Sequence, residues 1–412
     1  MMGALESDTP GSGTPAPDDT SPPLPYRRLN PPERTLLGPD LSNASPRARQ
    51  GLIAVLEGAN DPSFLAVLEE AVGRLRRLWR TENEDTFLIP GSEETALEAA
   101  LLNTLQPGET AVVASSGFFG ERLAEAAERC GAQVIRVVAP AGEAVSLAAL
   151  RKAMNGPAVR LLAVLHGEGS TGVLQPLSGL GELAHAHDAL LLVDSRWTIS
   201  ALEVPHDVLG IDIGVAGSQK AISAYPGLGL ITFSERAAAV HAARQGPVAS
   251  PSLDLAQLRR FREDERAAQT LPAPIVYALT ELLQLIDEQG LAYRASRLAN
   301  RRDALVAAFA ELGLSVYARP EFRLPTVTAV NVPTAVDAAA IRQQLLSPYR
   351  IDIGGGLGEL RGKVWRVGIL GHSAQPTFLL ALVTLLEIFL EEAGHSVGER
   401  GAAARTLLAQ LD

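Results

Sequence analysis

Lysine is nearly missing from this chain. Of 36 basic residues three are lysines, Lys152, Lys220 and Lys363, and the other 33 are arginines. Cysteine is scarcer still. The single Cys130 excludes an intramolecular disulfide and a thiolate metal cluster, which suits a reducing cytoplasm. A positive surplus is also lacking, and the net charge of −11 argues against nucleic acid or an anionic membrane as a general partner. No apolar run is long enough to cross a bilayer: FLLALVTLLEIFL (378–390) contains Glu387 and reads as a buried helix. The N-terminus has no positively charged flank followed by an apolar run, so no signal peptide is expected. The seven histidines are scattered. His185 and His187 are two apart and do not share a helix face, so no metal site is expected.

What is present describes a large α/β chain. With 412 residues, 47% hydrophobic and 20% charged, it has room for a big domain and a smaller one. Residues 1–30 are rich in Pro, Gly, Ser and Asp and read as a disordered tail. Helical periodicity starts near 46. Short β-branched runs then follow at 110–115, 133–138, 159–166, 190–194, 211–217 and 227–234, mostly alternating with alanine-rich helical stretches. Fully apolar strands separated by helices predict a mostly parallel sheet covered on both faces. No helix precedes 227, so the last strand is expected to run antiparallel. A long helical passage (272–313) leads to strand candidates TVTAVNVP, YRIDIGGG and GKVWRVGIL, which suit a smaller α+β domain. The expected division is 31–290 and 291–412.

The scarcity of lysine makes Lys220 conspicuous. Arginine stays charged at any workable pH, whereas a desolvated lysine can lose its proton and act as a nucleophile. Ligands of open α/β sheets sit at the carboxyl ends of the strands. Three features fall there: His166–Gly172 after the strand 159–166, Asp194 ending LLLVD, and Gly217-Ser218-Gln219-Lys220 after IDIGVAG. Taken singly, Asp194 reads equally well as a helix cap and Lys220 as half of an ion pair. Together they suggest pyridoxal phosphate, whose aldehyde needs a lysine and whose ring nitrogen needs a carboxylate. Its phosphate favours a helix N-terminus, and Pro90-Gly91-Ser92 leads into one, with Ser92 as its cap.

The segments HGEGSTGVLQPL, LLLVDS, GSQKAISAYPGLGLITFS and GGLGELRGKVWRVGILG resemble the class V aminotransferases, most closely the alanine–glyoxylate and serine–pyruvate aminotransferase family. The resemblance runs from about residue 34 to the last helix. It implies the fold of type I pyridoxal-phosphate transferases and an amino transfer from a small amino acid to glyoxylate or pyruvate through a Lys220 aldimine. It further implies Asp194 on the pyridine nitrogen, Phe119 on the ring face, and Gly169 near the ring oxygen. Ser92, Glu93, Glu94 and Gln219 fall at the phosphate, Thr270 reaches in from a second subunit of a homodimer, and Arg366 grips the substrate carboxylate. Other outcomes of the same fold are a lyase or desulfurase, or a non-catalytic binding subunit. A desulfurase needs a cysteine on a mobile loop, and Cys130 lies at a helix end.

Departures from the family cluster at the cofactor. Glu93 and Glu94 follow Ser92 where the family carries Gly with Thr or His. Two carboxylates suit a helix N-terminus yet repel a phosphate unless they point outward. Gly169 replaces a hydroxyl residue, Arg196 a small apolar one, and Ala267 a tyrosine, while Asp40 stands near the substrate mouth. An ion pair of Arg196 with Glu93 or Glu94 is expected to rebuild the pocket.

Overall fold

The computed structural model describes residues 29–156, 158–263 and 270–411. Most of the expected tail and Ala267 lie outside them. Residues 29–33 are exposed chain, and Arg34–Asp412 form a separate unit.

Seven strands build the central sheet: β1 (Asp85–Gly91), β2 (Thr110–Ser115), β3 (Gln133–Val138), β4 (Val159–Leu165), β5 (Leu190–Asp194), β6 (Ile213–Gly217) and β7 (Gly227–Phe233). Their spatial order is β1-β7-β6-β5-β4-β2-β3. β7 runs opposite to the other six strands of this sheet. A parallel neighbour would need a crossover, whereas an antiparallel one needs only a loop. That loop, residues 218–226, carries Lys220. The sequence pattern gave no sign of β1, because Pro90 interrupts it. An edge strand tolerates proline where a central strand does not, and β1 is at the edge, paired with β7 alone.

Alternating residues of the inner strands bury opposite faces. Val113, Leu161, Leu192 and Val215 pack with Leu97 and Leu101 of the helix Glu93–Thr104. Val112, Leu162, Leu191 and Val193 pack on the other side with Leu150, Leu180 and Leu183. A sheet buried on both faces explains the uninterrupted apolar runs.

Six of the helices are labelled here: α1 (Pro62–Trp79), α2 (Glu93–Thr104), α3 (Phe118–Arg129), α4 (Ala273–Gln289), α5 (Leu291–Glu311) and α6 (Pro376–Glu392). The passage 272–313 is two helices, parted at Gly290, whose φ of 76° suits a residue without a Cβ. A second, antiparallel sheet of β8 (Val327–Asn331), β9 (Gly354–Gly355) and β10 (Val364–Gly368) has the order β8-β10-β9. Around it Trp365, Leu305, Phe309, Leu382 and Leu386 form their own apolar cluster. Glu387, in the run 378–390, is buried on α6 and accepts from the Gly401 N–H at 2.7 Å.

Candidate active site

Strand register gathers the expected residues. Leu165, Asp194 and Val215 stand side by side, the first two as the last residues of β4 and β5 and the third two residues before the end of β6. The loops leaving those ends carry 166–172, 195–197 and 218–220 into one place. Lys220 adopts a φ of 61°, unusual for a residue with a Cβ, and is buried. Its Nζ donates to Asp40 Oδ1 at 2.9 Å, lies 3.8 Å from Glu93 Oε1, and sits 5.4 Å from the centre of the Trp197 ring.

Arg196 is the hub of the other end. It is buried at 2% exposure. Its Nε donates to Asp194 Oδ2 at 2.7 Å and its Nη2 approaches the same oxygen at 2.5 Å. Its Nη1 reaches Glu94 Oε1 at 2.5 Å and Glu93 Oε1 at 3.5 Å. The expected pairing with the glutamates is present with both, and the pairing with Asp194 is additional. Burial pushes the fully buried Asp194 carboxyl above its ordinary value, against the pull of Arg196. Burial also acts to raise Glu94, but the Arg196 guanidinium outweighs it and leaves that carboxyl below its usual range.

Ser92 caps α2 as expected: its hydroxyl accepts from the Glu94 N–H, and Thr95 Oγ1 accepts from the Ser92 N–H, each at 3.2 Å. The outward orientation needed to accommodate a phosphate is not what Glu93 adopts. It is buried, and its Oε2 accepts a hydrogen bond from Gln219 Nε2. The physical reason is that three donors, on Gln219, Arg196 and Lys220, lie inward of it.

Phe119 is fixed by the α3 N-terminus. Glu168, buried, accepts from the Phe119, Gly120 and Ser170 N–H groups at 3.3, 3.0 and 2.9 Å, and burial raises its carboxyl above its usual value. The Phe119 ring centre lies 4.7 Å from that of Trp197. Trp197 is fully buried and donates to the Pro39 carbonyl at 3.1 Å. A Cβ at Gly169 would lie 2.3 Å from the indole. The absence of a side chain at 169 therefore makes the room that the Trp197 indole fills. Sequence reading passed over Trp197; a tryptophan beside Arg196 was the available signal. Arg366, on β10, is buried and donates to the Gly355 and Gly169 carbonyls at 2.7 and 3.2 Å. Its Nη2 lies 3.7 Å from Asp40 Oδ2, and burial lowers its pKa from the ordinary value. Thr270 stands exposed ahead of α4, and among the described residues no contact joins it to this cluster. No group of three His, Cys, Asp or Glu able to hold a metal occurs among the described residues, and no described helix is long and apolar enough to cross a membrane.

Asp194, the last residue of β5, and Lys220, on the loop leaving neighbouring β6, fit the ring nitrogen and aldehyde of a pyridoxal group. Phe119 and Trp197 offer it aromatic walls. The helix end that would take its phosphate carries the buried Glu93 carboxylate.

Comparison with known proteins identifies the family. The class-V aminotransferase family profile matches residues 62–358. Alanine–glyoxylate aminotransferase of Rattus norvegicus is 37% identical over 351 residues, spanning 84% of this chain and 85% of the relative. The crystal structure of ureidoglycine–glyoxylate aminotransferase from Bacillus subtilis superposes with a TM-score of 0.89 at 32% identity, over 93% of this chain and 99% of that one. Pyridoxamine–pyruvate aminotransferase from Mesorhizobium loti gives 0.87 at 28% identity, over 94% and 99%. The fold is the one the resemblance implies, and the family implies pyridoxal 5′-phosphate as its cofactor. The chain belongs to the class-V aminotransferases.

Proposed function

We propose that this aminotransferase moves the amino group of a small amino acid, such as alanine or serine, to glyoxylate or pyruvate, with Lys220 carrying the proton and Arg366 gripping the carboxylate. One observation carries the reading. The Asp40 carboxylate bridges Lys220 Nζ at 2.9 Å and Arg366 Nη2 at 3.7 Å. An amine and a guanidinium one carboxylate apart suit a substrate whose Cα is one bond from its carboxyl group.

A bound pyridoxal ring supplies the electron sink that lets the Cα proton leave. The chain does the rest. Arg366, desolvated and anchored on two carbonyls, presents its guanidinium for a carboxylate that displaces Asp40. Lys220 Nζ takes the Cα proton and returns it on the other side of the transfer. Trp197 and Phe119 exclude water from that step.

The desulfurase alternative finds no support: Cys130 is the C-cap of α3, whose opposite end faces the site, and burial raises its thiol above the ordinary value. The same reading takes 31–290 and 291–412 as large and small domains, supported by their separate apolar clusters. It also takes the chain as a cytoplasmic homodimer, with exposed Thr270 reaching a neighbouring site.

The test is a donor screen of alanine, serine and glycine against glyoxylate and pyruvate, with borohydride reduction and peptide mapping in parallel. Turnover with a pyridoxyl group trapped on Lys220 supports the reading. Absence of both, with the chain folded, refutes it.

A further inference from the structure

The place for the cofactor's phosphate already holds a carboxylate. Glu93, in the first turn of α2, is 5% exposed. It takes a hydrogen bond from Gln219 and lies 3.5 Å from Arg196 Nη1 and 3.8 Å from Lys220 Nζ. A Cβ at Gly217 would come within 2.7 Å of Glu93 Oε2, so the strand end leaves room for this side chain. A second observation is independent of the helix end. Gln219 is buried, and its Oε1 has no hydrogen-bond partner. Its orientation is fixed, because the amide nitrogen must be the atom facing the carboxylate. Glu93 and Gln219 thus turn acceptors toward this end of the site.

A phosphate dianion brings only acceptors and two further negative charges. Four carboxylates, Asp40, Glu93, Glu94 and Asp194, already face three cations, Lys220, Arg196 and Arg366. A hydroxyl in the phosphate's place adds no charge and has a proton to donate. Burying a charge without a partner is strongly unfavourable, whereas a hydroxyl donated to an orphaned acceptor satisfies both groups.

We infer that the site selects the unphosphorylated pyridoxal ring, with its free 5′-hydroxyl donating to Glu93 or to Gln219 Oε1, over the 5′-phosphate. This rests on the aminotransferase reading, since it uses the same Lys220 and Asp194. Without a phosphate anchor the ring exchanges with solution instead of remaining resident.

The experiment titrates the full chain with pyridoxal and with pyridoxal 5′-phosphate, followed by absorbance. Borohydride reduction and peptide mapping then locate the adduct. Wild type is expected to bind pyridoxal at least about tenfold more tightly and to release it on dialysis. Glu93→Gly is expected to reverse the order, with the phosphate gaining about tenfold or more. Glu93→Gln keeps the side chain's bulk and narrows the preference without reversing it. Tighter binding of the phosphate by wild type, trapped on Lys220, overturns this inference and leaves the aminotransferase reading standing. Equal preference in wild type and Glu93→Gly also overturns it. No adduct on Lys220 with either compound overturns both.

Discussion

The two ends of the active site hold their carboxylates differently. Asp40, facing Lys220 and Arg366, has a side chain 55% exposed, whereas Glu93 and Arg196 at the cofactor end are 6% and 2% exposed. Asp40 keeps water on its own side of its contacts with buried Lys220 and Arg366, which screens them and lowers the cost of its leaving. A buried network is costly to break from one side, because the partner left behind keeps its charge without water. On the reading proposed above, Asp40 keeps the substrate end open as a movable stand-in. The cofactor end is built in.

The largest effect expected from breaking this comparison is at Lys220, which both ends share. Lys220→Ala should lower kcat by about 10³- to 10⁴-fold in a donor–acceptor assay, with the chain still unfolding cooperatively on heating; a variant retaining a tenth of wild-type turnover would remove Lys220 from the chemistry. Next comes Arg196→Met. It leaves Asp194, Glu93 and Glu94 mutually repelling in a buried site, and urea titration should show a loss of about 3–5 kcal/mol. A loss below about 1 kcal/mol would mean that the network is not what holds this end together.

Acid should undo the buried side first. His166, whose backbone N–H donates to the Asp194 carbonyl, is held at about 3 by burial and, less, by His206. His206 is held by burial at about 4, against the opposing pulls of Val204, Asp207 and Trp79. Both pKa values are depressed below the unfolded 6.5, so the unfolded chain takes up protons first as pH falls. Above pH 6.5 the two histidines add no slope; toward pH ~4.5 they withdraw about 2–5 kcal/mol, an effect offset in part by Asp194 and Glu168, whose raised carboxyls take up protons in the folded chain first. Asp40 and Glu94, lowered below their ordinary values, act only at lower pH. Urea midpoints whose pH dependence from 6.5 to 4.5 is the same in wild type and in a His166→Gln, His206→Gln double variant would contradict the buried neutral histidines. The smallest effect is at Asp40. Asp40→Asn should change stability by less than about 1 kcal/mol while lowering the KM for the amino donor, measured by initial rates; a raised KM would make Asp40 a substrate ligand rather than a stand-in.

Much of the fold was legible because its signals are local. Strands β2 to β7 were marked by β-branched runs, and the antiparallel return of β7 by the missing helix before it. Strand β1 was hidden by Pro90, which only an edge position excuses. In the site, Lys220 stood out through the rarity of lysine, and the Arg196–glutamate pairing through complementary charge at unusual positions. The bond from Arg196 to Asp194 was not foreseen, since spacing of two in sequence says nothing of a guanidinium folding back. Nor was the coupling of Gly169 to Trp197, which depends on two loops meeting.

By itself the sequence determined the chemistry available: one lysine and one aspartate at strand ends, an arginine for a carboxylate, and two glutamates at a helix start. Composition and short-range pattern suffice for that, because strands and helices form from neighbours along the chain. Only the tertiary structure decided which way Glu93 points, which acceptor of Gln219 is left open, and which charges share Arg196. Those outcomes follow from which groups share a space closed to water, and that space is made by strands brought together from opposite parts of the chain.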